Sequence, residues 1–518
     1  MKNLGVLLLA GIGALSALRV SAQGIAETAL LFSRTTAGGS ARVQGMGGVQ
    51  VSFGGDFSSA GSNPAGLGMF NRSEFTISPS YSLTNAEATH FGNKVSQSKS
   101  NLSIPSLSFV FHSEKNKGNW IAGTFAITLT RLNDFNANVK YEGVNQHNSI
   151  ADYLSIDSDG LYPEDFDEDG GYYNTLNRLA YNTFLIDTLW SQADNSYIYI
   201  SPVGINIFDT TDVPRMTQKE NIVTSGGQSQ WSASYGVNIN DKFFFGAGIH
   251  LRTIRYESKK TFTESDFYFV KAPAYHPLNS LSLEETLKIS GSGYSATFGA
   301  MVRPFDGLQI GLAFNTPTLY TLSDVYSASL ATNWDNFDYY NNGQIILDGE
   351  EKDTIEELLA DYKLKTPGRI TGGATYFFGK SGFISAEVDA VNYAGSKYKS
   401  KTDGFSVDGD NASIKNLYQS SLNFKVGGEY RLKNYRFRGG YGQQGEPFGE
   451  KQNGISRSVT NYSVGFGYKS TTFYVDAAFI LRTGKNSYRP YKVPGDFGPL
   501  VTINNQATSF LFTVGFPF

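Results

Sequence analysis

Eight charged residues towards the C-terminal end of the chain stand at alternate positions in segments that also carry alternate apolar residues. They are Glu387 and Asp389, Lys425, Glu429 and Arg431, Arg436 and Arg438, and Asp476. Alternation places them on one face of neighbouring strands, where two kinds of chemistry are open to them. As a ladder of cross-strand ion pairs they would stiffen a wet wall. As spare cations, Lys425, Arg436 or Arg438 would receive a ligand carboxylate while apolar surface takes the rest of the molecule. Both readings stand on the sequence.

Other sets with chemical potential are thinner. Asp165, Asp167, Asp169 and Gly170 match the first half of a calcium loop, but its twelfth position falls on Leu176, where a bidentate Glu is required. A solvated acidic loop is the plainer reading. His90, His112, His147, His250 and His276 show no pair at metal spacing. His250 lies on a strand, pointing inward, as a membrane phospholipase would need, but sequence gives it no serine partner. There is no G-x-S-x-G, no H-E-x-x-H, and no Lys or Ser/Thr behind Gly45 to Gly48 to make a phosphate loop. The expectation is therefore no enzyme, no cofactor and no metal. A net charge of −4 gives no electrostatic case for nucleic acid.

The elements that position these residues are strands. Phe510, Phe512, Val514, Phe516 and Phe518 alternate with Leu511, Thr513, Gly515 and Pro517, which gives an aromatic face and a smaller one. Trp231 to Ile239, Leu422 to Arg431 and Tyr462 to Tyr468 repeat the pattern. Strands are predicted near 73–84, 101–113, 119–140, 217–238, 242–265, 284–303, 307–334, 364–378, 381–395, 416–432, 434–443, 455–469, 471–486 and 505–518, with 119–140 and 307–334 open to division. Tight turns such as Asn240-Asp241, Gly379-Lys380 and Lys433 alternate with long connections, of which 141–216 is the longest. That alternation is what an up-and-down outer-membrane barrel requires, turns towards the periplasm and loops outside. Aromatics beside the tight turns (Phe243, Phe245, Tyr376, Phe378, Tyr468, Phe473) fit an interfacial girdle. The 141–216 connection carries an acidic run from Asp157 to Asp169, then Leu176, Leu179, Ala180 and Phe184 at helical spacing, and reads as a partly helical external cap.

At the other end, Lys2, an apolar run from Leu4 to about Leu18 and Val20-Ser21-Ala22 read as a secretory signal, residues 1–22. Residues 23–72 differ from everything after them. They hold Gly45-Met46-Gly47-Gly48, Gly54-Gly55-Asp56 and Ser62-Asn63-Pro64-Ala65-Gly66, directly before the first strand. Such a segment cannot face lipid with its backbone unpaired. It belongs in the periplasm or as a plug in the lumen.

This Gly-Met-Gly-Gly turn, Asp, and Asn-Pro-Ala box before the first strand resemble the FadL/TodX family, as do Lys365-Thr366-Pro367 and Val426-Gly427-Gly428-Glu429-Tyr430. The Gln after the cleavage site and the long third external loop look closest to its Bacteroidetes branch. The resemblance implies a 14-stranded antiparallel transmembrane β-barrel over 73–518, with an N-terminal lumenal hatch over 23–72. It also implies passive uptake of hydrophobic small molecules such as long-chain fatty acids across the outer membrane. Gly47, Gly48, Asn63, Pro64 and Ala65 would then form the hatch and gate, and a wall kink near Pro105 or Gly123 would open sideways. At Pro105 the apolar phase shifts from Leu102 and Ile104 to Leu107, Phe109 and Phe111, as a bulge would make it. Expected partners are the hydrophobic ligand, outer-membrane lipid and lipopolysaccharide, and the barrel-assembly machinery, which would read the terminal Phe518. The rival expectation is an accessory or binding barrel, such as a secretion-system cargo shuttle or a haemin-receptor-like protein.

Overall fold

The computed structural model describes residues 22–518 except 37, 193–194, 205–213, 270, 272–274, 276, 402–405 and 495–497. The expected signal, apart from Ala22, and His276 lie outside the described residues.

Fourteen wall strands form among the described residues. They are β1 (Glu74–His90), β2 (Asn93–Lys117), β3 (Trp120–Asp134, continued by Ala137–Asn145), β4 (Arg215–Ile239), β5 (Phe243–Tyr268), β6 (Leu278–Phe305) and β7 (Leu308–Asn315, continued by Leu319–Asp338). Then come β8 (Ile346–Lys365, continued by Arg369–Phe377), β9 (Gly382–Asn392, continued by Lys397–Ser400), β10 (Ser420–Leu432), β11 (Tyr435–Gln444), β12 (Val459–Lys469), β13 (Tyr474–Tyr488) and β14 (Val501–Pro517). Each pairs antiparallel with its neighbours in sequence, and β14 pairs back onto β1 from Glu74↔Pro517 to His90↔Val501, which closes the sheet. The two predicted segments open to division are each interrupted within one continuous course, at Phe135–Asn136 and at Thr316–Thr318.

Closure pairs every wall strand, and alternation sorts the side chains. Leu312, Phe424, Tyr462, Phe512 and their outward neighbours are exposed, whereas inward Thr76, Ser78, Thr124, Thr297 and Thr513 are fully buried. The tight turns, two to four residues long, use left-handed residues: Asn240 and Asp241 (φ 55° and 54°), Gly379 (56°) and Lys433 (51°).

Two connections expected as external loops are instead strand. β1 and β2 run on to a tip at Phe91-Gly92, and β7 and β8 pair out to Asp338↔Ile346. The described residues of the cap between 146 and 204 fold on the outer rim. A helix over Ile150–Ser158, started by a Ser149/Asp152 capping box, packs with the helix Leu176–Asn182. Beneath them Leu154, Leu179 and Leu185 join Leu281, Leu330 and Trp334 of the rim in one apolar core.

Candidate functional site

The N-terminal segment lies inside the barrel. Helix α1 (Ala22–Ser33) buries Ala26, Ala29 and Phe32 against Ile254, Ile289, Tyr320 and Tyr398 of the wall. Below it, the chain from Ser40 to Phe70 crosses the lumen as short helical turns, nearly every residue buried.

Wall glycines make that fit possible. Gly236, Gly246 and Gly299 are paired neighbours on β4, β5 and β6. Asn63, Pro64 and Ala65 rest on this strip so closely that a Cβ on Gly246 would lie 2.3 Å from the Pro64 carbonyl carbon. Asn63 is fully buried; its Nδ2 donates to the Val51 carbonyl at 2.6 Å, and its Oδ1 accepts from the Ala65 N–H at 3.2 Å. A second seat, Gly311 paired with Gly373, takes Val51 and Ser52. A third, Gly427 paired with Gly440, takes Met46 and Gly47. Gly47 and Gly48 adopt φ of 74° and 83°, which side chains resist, and the Gly47 N–H donates to Ser463 Oγ at 2.8 Å.

The charged residues of β9 to β13 sit at this same level and are committed to one another. Lys425 Nζ lies 2.5 Å from Glu387 and 3.1 Å from Asp389. Arg438 bonds Glu429 at 2.8 Å and Asp476 at 2.6 Å. Glu429 also holds Arg431 at 2.8 Å and Arg42, from the lumenal segment, at 3.0 Å. Burial opposes the charge on Arg42, but Glu429 and Asp56 outweigh it and raise its pKa. Glu387 accepts the backbone N–H groups of Gln50 and Val51 at 2.9 and 3.0 Å. The expectation of a spare cation at Lys425 or Arg438 is thus corrected: both are consumed by carboxylates. Arg436 is corrected too, because its Nη1 folds back onto the Lys433 and Tyr435 carbonyls at the tight turn.

An open chamber lies above this floor. Inward residues are buried low on the wall (Ser80, Ser463, Ile480, Leu511) and again under the cap (Ala86, Ala88, Val501, Ile503). Between them Ser82, Thr84, Asn461, Arg482, Ala507 and Ser509 are half-exposed, although they point inward. Leu30, Leu31, Tyr256 and Leu287 give the opposite side an apolar lining. Arg482 has neither ion pair nor hydrogen bond among the described residues, and the Oδ1 of Asn461, its register partner, is buried without a donor. Sequence reasoning missed Arg482. Its alternation with Ile480 and Ala478 was the available signal, and it is the cation of that face with no carboxylate on a paired strand.

The wall has a seam at the level of this chamber. β2 pairs with β3 from Lys117↔Trp120 up to Ser106↔Thr130, and no ladder pair joins Asn93–Pro105 to β3. Pro105 stands where the pairing stops, opposite a register shift between Ser78 and Ser80 of β1. Gly123, the other candidate kink, is paired with Ser113 and Val237 under the Tyr235 ring, and the register shifts in both ladders at its neighbour Ala122. From inside, the Thr36 N–H and hydroxyl donate to the Leu132 carbonyl at 3.1 and 2.5 Å, and Ser106 Oγ donates to the Gly39 carbonyl at 3.1 Å. The lumenal segment therefore lies across the base of the seam. Across the seam, Asn101 Nδ2 donates to Asp134 at 2.6 Å.

His250 bonds Ser232 Oγ at 2.9 Å and Thr297 Oγ1 at 2.8 Å. All three are buried beneath the lumenal segment, so the pair is a packing hub with no face for a substrate. In the acidic loop, Asp165 accepts the Tyr162 N–H at 2.8 Å and so closes the turn that starts there.

No family model and no curated protein sequence matches the chain. Solved structures do match in fold. A Pseudomonas aeruginosa FadL homologue superposes with a TM-score of 0.54 at 13% identity, over 93% of this chain and 99% of that one. The P. putida toluene transporter TodX gives 0.51 at 11% identity, over 93% and 99%. The closed 14-stranded antiparallel barrel of those outer-membrane proteins is the fold of this chain.

Proposed function

We propose that the chain is an outer-membrane channel for passive uptake of hydrophobic small molecules such as long-chain fatty acids, gated by residues 23–72 acting as a hatch. The observation that carries this reading is the chamber enclosed between the hatch and the cap, with a seam in the wall at its own level. A ligand entering past the cap would rest in the chamber. It would leave sideways once the hatch residues Thr36 and Gly39 withdraw from Leu132 and Ser106. The charged ladder lies below, between hatch and wall, and leaves the chamber free. Arg482 supports an anionic headgroup: it lies level with Thr84 and Lys99 through paired neighbours, three strands from the seam, roughly 14 Å at the usual strand spacing.

The test is uptake into proteoliposomes, with native mass spectrometry of ligands that co-purify. Expected are a co-purified amphiphile and faster oleate entry than in empty vesicles. The reading fails if no apolar ligand appears and removal of residues 23–72 leaves uptake unchanged.

A second reading, a partner-binding barrel, draws on the cap. There Tyr162 and Trp190 are exposed and flank Tyr197, with ring centroids 5.6 and 5.0 Å from it. Uptake that survives deletion of 187–200, together with loss of a bound partner, would favour it.

A further inference from the structure

Gly427-Gly428 on β10 pair with Gly440-Gly439 on β11, so four glycines form a square in the wall. The square bears no side chain on either face. On the lumenal side its bareness is filled by Met46 and Gly47 of the hatch. The lipid-facing side is unfilled. Ile384, Val426, Tyr430, Phe437 and Tyr441 stand around Gly428 and Gly439 and enclose a groove of about 750 Å³. Ile384, Tyr430 and Phe437 are 50%, 56% and 46% exposed, so the groove opens on the apolar band rather than the lumen. Gly439 is four residues above the start of β11, about 13 Å from the tight-turn end, which puts the groove in the periplasmic half of the bilayer.

A second observation lies at the mouth of the groove. The turns below it carry Lys380, between β8 and β9, and Lys433, between β10 and β11. Both are exposed and have no carboxylate partner among the described residues. The two turns are tied together, the Arg431 N–H donating to the Ser381 carbonyl at 2.7 Å. An apolar groove of this depth, ending at two free ammonium groups at the membrane–water boundary, matches one kind of molecule.

We propose that this groove is a binding site for an inner-leaflet phospholipid. One acyl chain lies over Gly428 and Gly439, and the headgroup phosphate is held by Lys380 and Lys433. Any membrane protein touches lipid, but an ordinary wall gives a chain only side-chain tips to lie on. Here a chain contacts backbone and is flanked by three aromatic rings, so more of its methylenes leave the disordered bilayer interior for fixed contacts. Two ammonium groups favour a headgroup with net negative charge.

The experiment titrates detergent-solubilised full chain with phosphatidylglycerol or phosphatidylcholine and counts bound lipid by native mass spectrometry. Gly439→Phe fills the groove at a position where an added Cβ meets nothing within 4 Å, so the wall keeps its fold. Gly372→Phe is the control: this glycine also meets nothing within 4 Å, and it faces lipid on β8 between Leu312 and Val388. Expected is one phosphatidylglycerol retained by the wild type and by Gly372→Phe, and affinity lowered about tenfold or more by Gly439→Phe. The double variant Lys380→Gln/Lys433→Gln should keep a lipid but lose the preference for phosphatidylglycerol. Retention by Gly439→Phe equal to the wild type, or no lipid above random adducts on the wild type, overturns the proposal.

Discussion

Gly246→Ala adds one methyl to the wall, and the structure says where its cost falls. The new Cβ would stand 2.3 Å from the Pro64 carbonyl carbon and 2.4 Å from the Ala65 nitrogen. Ordinary carbon contacts begin near 3.5 Å, so the Asn63-Pro64-Ala65 turn must retreat by roughly 1 Å. The wall strand itself is not displaced, because its ladder to β4 and β6 runs unbroken through this level. Retreat strains or breaks the two Asn63 hydrogen bonds, about 1 kcal/mol each. Overpacking of a filled site adds about 1–3 kcal/mol. Together about 3–5 kcal/mol is set against the seated hatch, which multiplies the unseated fraction by roughly 10² to 4 × 10³. Single-channel recording in planar bilayers reads that fraction directly. The wild type should conduct rarely, and Gly246→Ala should show frequent openings, with a melting temperature of the barrel close to that of the wild type. Gly372→Ala, whose Cβ meets nothing within 4 Å, should record like the wild type. If Gly246→Ala melts like the wild type and conducts no more than it does, the glycine strip is not what seats the hatch.

Other perturbations separate the parts. Arg42→Met cuts the link from hatch to Glu429 but leaves Glu429 its bonds to Arg431 and Arg438; conductance events should rise while the barrel melts within a few degrees of the wild type. Glu429→Gln strands Arg42 and Arg431 instead and leaves Arg438 only Asp476, and should cost about 3–5 kcal/mol in denaturant titration. Arg482→Gln should weaken oleate binding about tenfold by calorimetry, the worth of one charge-assisted contact, and leave a neutral hydrocarbon unaffected; equal losses for both would remove Arg482 from headgroup recognition. The chain has no cysteine, so Asn101→Cys/Asp134→Cys can be bridged across the seam without side reactions. Bridging by a short bis-thiol linker should stop uptake, and a reducible linker should restore it on cleavage. Undiminished uptake through the bridged barrel would rule out the seam as the exit.

The wall was legible because a lipid-facing strand must write its outer face in apolar residues. Phe510, Phe512, Phe516 and Phe518 are exposed as their spacing requires. Outside the membrane that obligation ends. Glu350, Glu351, Lys352 and Asp353 lie in regular β7–β8 pairing but present polar side chains to both sides, so period two left no mark and a loop was expected. The inward small residues, such as Ser234, Gly236, Gly465 and Gly467, were visible as a pattern, but their purpose was not. Asn63 meets Gly299 across more than 200 residues of chain, and nothing local at either end refers to the other. The ion pairs were half-legible for the same reason. Alternation put Lys425 and Arg438 on the lumenal face, but not the register that gave each of them two carboxylates.

The hatch is held unevenly, and this bears on how such a channel passes a ligand without leaking ions. From Arg42 to Ala65 it rests on three glycine seats and donates charge-assisted bonds to Glu387 and Glu429. Thr36 and Gly39, which lie on the seam, are fixed to β2 and β3 by the two Thr36 bonds to Leu132 and the one from Ser106. At about 1 kcal/mol each, those three bonds oppose local withdrawal by roughly 3 kcal/mol. Dislodging the seats costs far more, since two buried carboxylates would lose partners at once. On the proposed function, the seam would therefore clear while the seats still block the lumen, so that a ligand would pass sideways and ions would not follow. Native-state hydrogen exchange distinguishes the two motions. The Thr36 amide should exchange at least tenfold faster than those of Gly47 and Val51, and hydrophobic cargo in the chamber should speed Thr36 alone. Equal protection of all three amides would mean that the hatch moves as one body, and uptake would then have to carry an ion leak with it.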